Sequence, residues 1–324
     1  MIVQALSGVV LVTGGTGSFG RTIVRRLLAE PGVETIRVFS RDEGKQDALR
    51  EEHNGNPRIE LVTGDVRDPG SVESAMRDAR WVFHAAALKQ VPNCERFPIE
   101  ALRTNALGSE NVRRAAILCR PEAVVAISTD KACAPINAMG ISKAMMERIL
   151  LRAQDPGTST RFVCVRYGNV LGSRGSVIPL FLDRVRQGRP IPITDPTMTR
   201  FLLDLNEAVE MSLAAILGGR HGQIWVRKMP AATIADLAAA VSPRQDYPRE
   251  HVGVRPGEKM HEVLVNEEEM RRTEERGDLF VIEPKMRALD LAIPSVREYT
   301  SRNTEQLSAN GVYRMLERAG LVFA

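Results

Sequence analysis

No apolar run in this 324-residue chain approaches the ~18 to 20 residues that a membrane-spanning helix needs. No basic region precedes an apolar segment near Met1 either, so no secretory leader is expected and the protein is placed in the cytoplasm. Cysteine is scarce. Cys94, Cys119, Cys133 and Cys164 show no C-x-x-C spacing and no histidine at metal-site intervals, which argues against a metal centre or a disulfide framework and for reduced thiols. There is no nucleophile-elbow pattern, no internal repeat and no low-complexity stretch. Basic runs are missing too: 44 basic residues are nearly balanced by 40 acidic ones scattered along the chain. The formal charge of +4 therefore speaks for anionic small ligands and against nucleic acid or a membrane as partner. With 44% apolar residues the chain can bury one large core or two unequal ones.

What the chain does contain is a repeating alternation of short β-branched runs and amphipathic segments. Val9 to Val12 reads as a buried strand that enters Thr13-Gly14-Gly15-Thr16-Gly17-Ser18-Phe19-Gly20 and then a helix from Arg21 to Leu28. Gly14, Gly17 and Gly20 supply a tight turn, close backbone approach to a pyrophosphate, and close helix-on-strand packing, while the helix offers its first amides to the phosphates. After the second strand, Thr35 to Ser40, an NAD site would present a carboxylate to the adenosine ribose. Here Ser40-Arg41, with Lys45 one turn further, suits a 2′-phosphate, so NADP is expected in preference to NAD. A third strand leads to Asp65-Val66, where Asp65 is positioned to bond the adenine. A fourth ends in Ala85-Ala86-Ala87, small enough for a cofactor to lie against the backbone. His84 reads as a satisfied histidine at a strand end. Strands at 124–128 and 161–167 complete the series, which predicts an α/β, Rossmann-type doubly wound parallel sheet.

Ser128-Thr129-Asp130-Lys131-Ala132 follows the fifth strand, and Lys143 lies in the helix that returns from it. Open α/β sheets place their chemistry at the carboxyl ends of parallel strands, so a carboxylate, two lysines and two hydroxyls converge on one crevice. In an arbitrary protein Asp130-Lys131 would be a surface ion pair; its position beside the dinucleotide site argues for chemistry. The domain layout expected is 1–169 plus 205–228 for NADP, a smaller discontinuous α/β substrate domain from 170–204 plus 229–290, and a C-terminal segment 291–324. Glu267 to Arg272 reads as a solvated charged helical face.

Thr13 to Gly20, Gly64-Asp65, His84 to Ala87, Asn105, Ser128-Thr129 and Lys143 together resemble the extended short-chain dehydrogenase/reductase family of nucleotide-sugar-modifying enzymes. Longer strings are similar to the UDP-N-acetylglucosamine 4,6-dehydratases of bacterial capsule and O-antigen pathways: Val38 to Glu43, Ala87 to Pro92, Ser128 to Ala132, Pro135 to Lys143, Arg166 to Pro179, Met198 to Phe201, Pro256 to Lys259 and Glu298 to Thr304. The family's catalytic Tyr, four residues before the Lys, is Met139 here, which has no titratable proton. Met at that position resembles the subgroup that also inverts C5. The resemblance implies Asp130 as the acid at O6, Lys131 as the base at C5 and Lys143 as the residue that orients the cofactor. Lys131, Lys143 or a relay through Thr129 would take the O4 proton. To act as a base, Lys131 must be partly neutral, and Lys89 and Lys143 are the cations expected to depress its pKa. The resemblance also puts Asn105 in the cofactor site. It puts Lys89, Asn169, Arg174, Ser176, Val177, Thr194, Arg200, Arg255 and Glu258 around a UDP-sugar, in a homo-oligomer. A C5-retaining dehydratase, a UDP-sugar 4-epimerase and an NADP-binding sensor without turnover remain the competing readings.

Overall fold

Parallel strands need crossover connections, usually helical, and seven strands of the large sheet run parallel among the described residues. The computed structural model describes residues 5–153, 157–173, 175–284 and 296–321. Strands β1 (Gly8–Thr13), β2 (Val33–Ser40), β3 (Ile59–Thr63), β4 (Ala79–His84), β5 (Ala123–Ile127) and β6 (Arg161–Arg166) pair in the order β3-β2-β1-β4-β5-β6. All five of these pairings are parallel. Every residue of β5 is buried, because helices cover both faces of the sheet. Strand order reverses between β1 and β4, and the crevice that opens there is where doubly wound sheets bind ligands.

The sheet continues past β6 with Ile224–Arg227 in parallel, then Leu279–Ile282 and Thr273–Arg276 in antiparallel. Residues 273–282, expected in the substrate domain, therefore belong to the large sheet. The apolar run Phe280-Val281-Ile282 is buried there, and the edge at Ile224–Arg227 supplies its hydrogen-bond partners. A second core gathers Leu171, Ile178, Phe181, Ile193 and Leu237 with Val312, Met315 and Leu316. The latter three lie on the Ala309–Arg318 helix, so this part of the C-terminal segment packs into the smaller core. Small sheets join Asn169–Val170, Thr199–Leu203 and Ala231–Thr233, and join Val263–Val265 to Tyr299–Thr300. Among the described residues no helix is long and apolar enough to cross a membrane. Among the same residues no group of His, Cys, Asp and Glu side chains has the make-up of a metal site.

Candidate functional site

A cavity of about 900 Å³ opens at the switch point, between the loops that leave β1 and β4. At one end it is lined by Gly14, Thr16, Gly17, Ser18, Phe19 and Gly20. Gly14 has φ +68°, and a Cβ there would sit 2.7 Å from the Ala86 nitrogen, so the turn needs glycine on both counts. Helix α1 (Ser18–Leu28) begins with Gly17 as its N-cap and no side chain capping it, which leaves first-turn amides to a ligand. A cradle that excludes side chains, facing an uncapped helix start, fits the pyrophosphate of a dinucleotide.

Ser40, Arg41 and Lys45 line the same end. Arg41 is paired with Asp65 at 3.4 Å, and Lys45 with Asp42, whose carboxylate also caps the following helix. Val66 and Ala85 to Ala87 reach the cavity; Asp65 does not, being held by the Arg67 side chain and amide. Burial acts to raise the Asp65 pKa, and Arg67 and Arg41 outweigh it, leaving the carboxyl below its usual range. Asn105 also stands back: it accepts from the Leu88 amide at 2.8 Å and donates to the Leu88 carbonyl and Ser142 at 2.9 Å. His84 bridges Thr13 at 2.7 Å and Ser109 at 2.9 Å, and burial, reinforced by Lys143, pushes its pKa down to about 3. It is a neutral, satisfied strand-end histidine.

The chemically interesting groups meet at the cavity's centre. Thr129 caps a single helical turn, Asp130–Ala132, and the Asp130 amide donates to the Tyr167 carbonyl. The Asp130 side chain is fully buried and Lys131 is 21% exposed, so neither is turned out to bulk water. Lys131 Nζ lies 3.0 Å from Asp130 Oδ1, 3.3 Å from Glu262 Oε1 and 3.5 Å from Asn169 Oδ1. Thr129 Oγ1 donates to the same Asp130 oxygen at 2.8 Å. Asp130 Oδ2 and Glu262 Oε2 are buried without a partner. Lys131 and Thr129 line the cavity; Asp130 and Glu262 sit behind them.

This arrangement corrects the expectation for Lys131. Burial pulls its pKa down, but the carboxylates of Asp130 and Glu262 prevail and hold it above the ordinary lysine value, so the amine rests charged. Lys143 is the depressed one. It is buried in the Ala138–Leu151 helix with Nζ donating to the Ile127 carbonyl at 2.8 Å, and desolvation lowers its pKa to about 8. That helix meets the Asp130 turn at Gly140, where any Cβ would strike the Lys131 carbonyl. Met139, 3% exposed, lines the cavity alongside Lys143.

The far end is lined by Lys89, Gln90, Asn169, Ser173 and Ser176. Val177 starts the next helix just outside the lining. Thr194 donates to Met198 Sδ, Arg200 to the carbonyls of Thr199 and Lys259, and the Arg255 amide to Glu258, all away from the cavity. These four residues are not brought together with the crevice. Arg174 lies outside the described residues. Glu262 is the residue that sequence reading missed, although it sits just beyond the matched Pro256 to Lys259 string. Glu269, which the charged pattern of 267–272 presents as solvated, is buried instead. It is 7% exposed and pairs with Arg166 at 2.8 Å, while Glu147 meets the same guanidinium at 2.6 Å and accepts from Ser128. Cys133, buried beside Glu269, has its thiol pushed up to about 12 by burial and takes no part in the cavity.

Residues 10–284 match the family model described as polysaccharide biosynthesis protein. A protein of Rickettsia bellii named UDP-glucose 4-epimerase is 44% identical over 322 residues, covering 94% of each chain. The chain belongs to the polysaccharide biosynthesis protein family. The crystal structure of Pen from Bacillus thuringiensis superposes over 100% of both chains at a TM-score of 0.92 and 34% identity. The dTDP-glucose 4,6-dehydratase DesIV of Streptomyces venezuelae, solved with NAD bound, shares the fold at a TM-score of 0.69 and 22% identity over 78% of this chain and 86% of its own. The Rossmann architecture read from the sequence is thus that of the solved structures it resembles.

Proposed function

We propose that this chain is a redox-neutral, NADP-dependent 4,6-dehydratase that converts UDP-N-acetylglucosamine to a UDP-4-keto-6-deoxy-N-acetylhexosamine with inversion at C5. At the coarser level that its relatives' names share, it is a nucleotide-sugar enzyme of the epimerase and dehydratase class. The observation that carries the finer reading is the buried Asp130-Lys131 pair, whose amine lines the cavity beside Met139 and Lys143 while its carboxylate stands behind it.

The glycine loop would hold the pyrophosphate, Ser40, Arg41 and Lys45 a ribose 2′-phosphate, Val66 and Ala85 to Ala87 the adenine and nicotinamide flanks. Lys89, Asn169 and Ser176 would meet the sugar diphosphate. When bound, the nicotinamide supplies hydride acceptance from C4 and its return at C6. Met139 cannot take the O4 proton, and Lys131 rests protonated. Lys143, with a pKa near 8, is the amine closest to neutrality and removes that proton directly or through the Thr129 hydroxyl.

The C4 ketone acidifies C5–H. One proton shift across the 3.0 Å contact, from the Lys131 ammonium to the Asp130 carboxylate, produces both partners that elimination requires. The neutral amine then takes the C5 proton, the Asp130 carboxyl group gives its proton to O6 through the Thr129 hydroxyl, which it contacts at 2.8 Å and which lines the cavity, and the C6–O6 bond breaks with loss of water. That step returns the pair to its ionised resting form. A proton delivered to C5 on the opposite face balances the one taken from O4 and inverts the centre.

A 4-epimerase is the second reading, favoured by the names of the Rickettsia relatives. It needs hydride exchange at C4 and a base at O4, and leaves the buried pair without a task. Incubating the purified protein with UDP-N-acetylglucosamine and following mass and NMR separates the readings. Loss of one water with inverted C5 is expected. Unchanged mass with altered C4 would make it an epimerase, water loss with retained C5 a retaining dehydratase, and no conversion a binder. Extraction of the co-purifying dinucleotide is expected to yield NADP; NAD would overturn the Ser40-Arg41 assignment.

A further inference from the structure

We propose that Glu262 is the positioning residue of this centre, a second carboxylate that grips the Lys131 amine jointly with Asp130 and governs when that amine releases its proton. The inference rests on the dehydratase reading and deepens it.

Glu262 is placed with care by the fold. Its amide donates to Ser301 Oγ at 2.8 Å and its carbonyl accepts from the Ser301 amide at 2.8 Å, so a segment far along the chain fixes both sides of its backbone. Its side chain is 3% exposed, with Oε1 3.3 Å from Lys131 Nζ and 4.0 Å from Arg200 Nε. The other oxygen, Oε2, is buried with no donor. Leaving a buried carboxylate oxygen without a donor costs free energy, so an interaction selected for stability alone would not be built this way. Asp130 has the same defect at Oδ2. Two carboxylates, each with one oxygen on the same amine and one oxygen idle, are suited to moving a proton.

The groups that face Lys131 are Asp130 on its own turn, Asn169 after β6, Glu262 before the Val263–Val265 strand and Arg200 beyond it; Lys143 and Lys89 line the same cavity. Negative charge prevails, and the amine is held above the ordinary lysine value. The proton shift to Asp130 therefore works against the field of Glu262, and that field sets the pH above which the pair loses its shared proton to solvent.

The test is the pH profile of water loss in Glu262→Gln and Glu262→Asp. In Glu262→Gln the descending limb, on which Lys131 loses its proton to solvent and the pair can no longer supply the acid, moves to lower pH by about one unit, because an opposite charge beside the amine has been removed. KM for the UDP-sugar stays within about twofold while kcat changes, as expected for a group that acts on the chemical step. Glu262→Asp keeps the charge and keeps the limb in place. Independently, Lys131 is titrated by NMR in parent protein carrying 13C at the lysine ε-carbons, assigned with Lys131→Arg. A value above 10.5 is expected. An unmoved limb in folded Glu262→Gln overturns the proposal, as does a Lys131 that titrates at or below an ordinary lysine. Should Glu262→Gln not fold, the NMR titration of the parent decides alone. A parent enzyme that releases no water from the UDP-sugar defeats the dehydratase reading, whereas the titration still judges the grip of Glu262 on Lys131.

Discussion

Arg166 and Lys131 are each caught between two carboxylates, yet the two clusters are built to different standards. Arg166 is 1% exposed and fully engaged: Nε and Nη2 on Glu147, Nη1 and Nη2 on Glu269, and Nη1 on the Leu264 carbonyl. Each of those carboxylate oxygens has a donor. Around Lys131 the geometry is looser, two oxygens have no donor, and the amine reaches the cavity. A guanidinium that stays charged, in a bidentate fork, suits a permanent tie between the Ala138–Leu151 helix and the Glu267–Met270 helix. An amine that can lose a proton, among under-satisfied carboxylates, suits a reaction. The first cluster fastens the molecule, and the second is the one proposed to work on the substrate.

The comparison breaks most sharply at Lys131 itself. Lys131→Gln is expected to lower water loss per folded molecule by about 10²–10⁴-fold, the range for removing a general acid or base, and to cost stability as well, because Asp130 and Glu262 lose their cation. Mass spectrometry of the product and circular dichroism check the two halves. Arg166→Met should act on stability alone, destabilising the protein by about 3–5 kcal/mol because Glu147 and Glu269 are left as uncompensated buried charges, while turnover per folded molecule persists. Urea unfolding measures it. Replacing Glu147 and Glu269 by Gln in the same chain is expected to restore most of that loss.

Two pH dependences sharpen the contrast further. Reduction of the cofactor in a single turnover should rise with pH through about 8 as Lys143 becomes neutral, and Lys143→Arg should abolish that limb. At Glu269 burial acts to raise the pKa and Arg166 outweighs it, so the folded value lies below the ordinary 4.5. A depressed carboxyl pKa contributes stability that is present above the unfolded value and lost as pH falls through the folded one. Parent protein should therefore weaken below about pH 4.5 more steeply than Arg166→Met, as read by unfolding at successive acid pH values.

Much of the fold could be read from local pattern. Gly14, Gly17 and Gly20 between a β-branched run and an amphipathic one mark the loop proposed to hold a dinucleotide, and β5 announces itself as five consecutive apolar residues. Asp130 and Lys131 could be singled out because strand ends in parallel sheets carry chemistry. What stayed hidden depends on distant pairing. Glu269 reads as solvated because its partner lies 103 residues away. The strand Leu279–Ile282 gives no sign of which edge it joins, and the Ala309–Arg318 helix shows an apolar face without revealing the core that receives it. The charge on Lys131 was misjudged for the same reason, since the lysines near it in sequence pattern were visible and Glu262 was not. Arg200 and Glu258 stand in matched strings but bond their own neighbourhood, a distinction that only side-chain positions draw.

The most direct measurement is a single turnover of Asp130→Asn with UDP-N-acetylglucosamine, following reduced cofactor by absorbance and water loss by mass. If the buried pair performs the elimination, reduced cofactor accumulates with a 4-keto sugar of unreduced oxygen content, and release of water stops. Water loss at the parental rate in that variant would contradict the account.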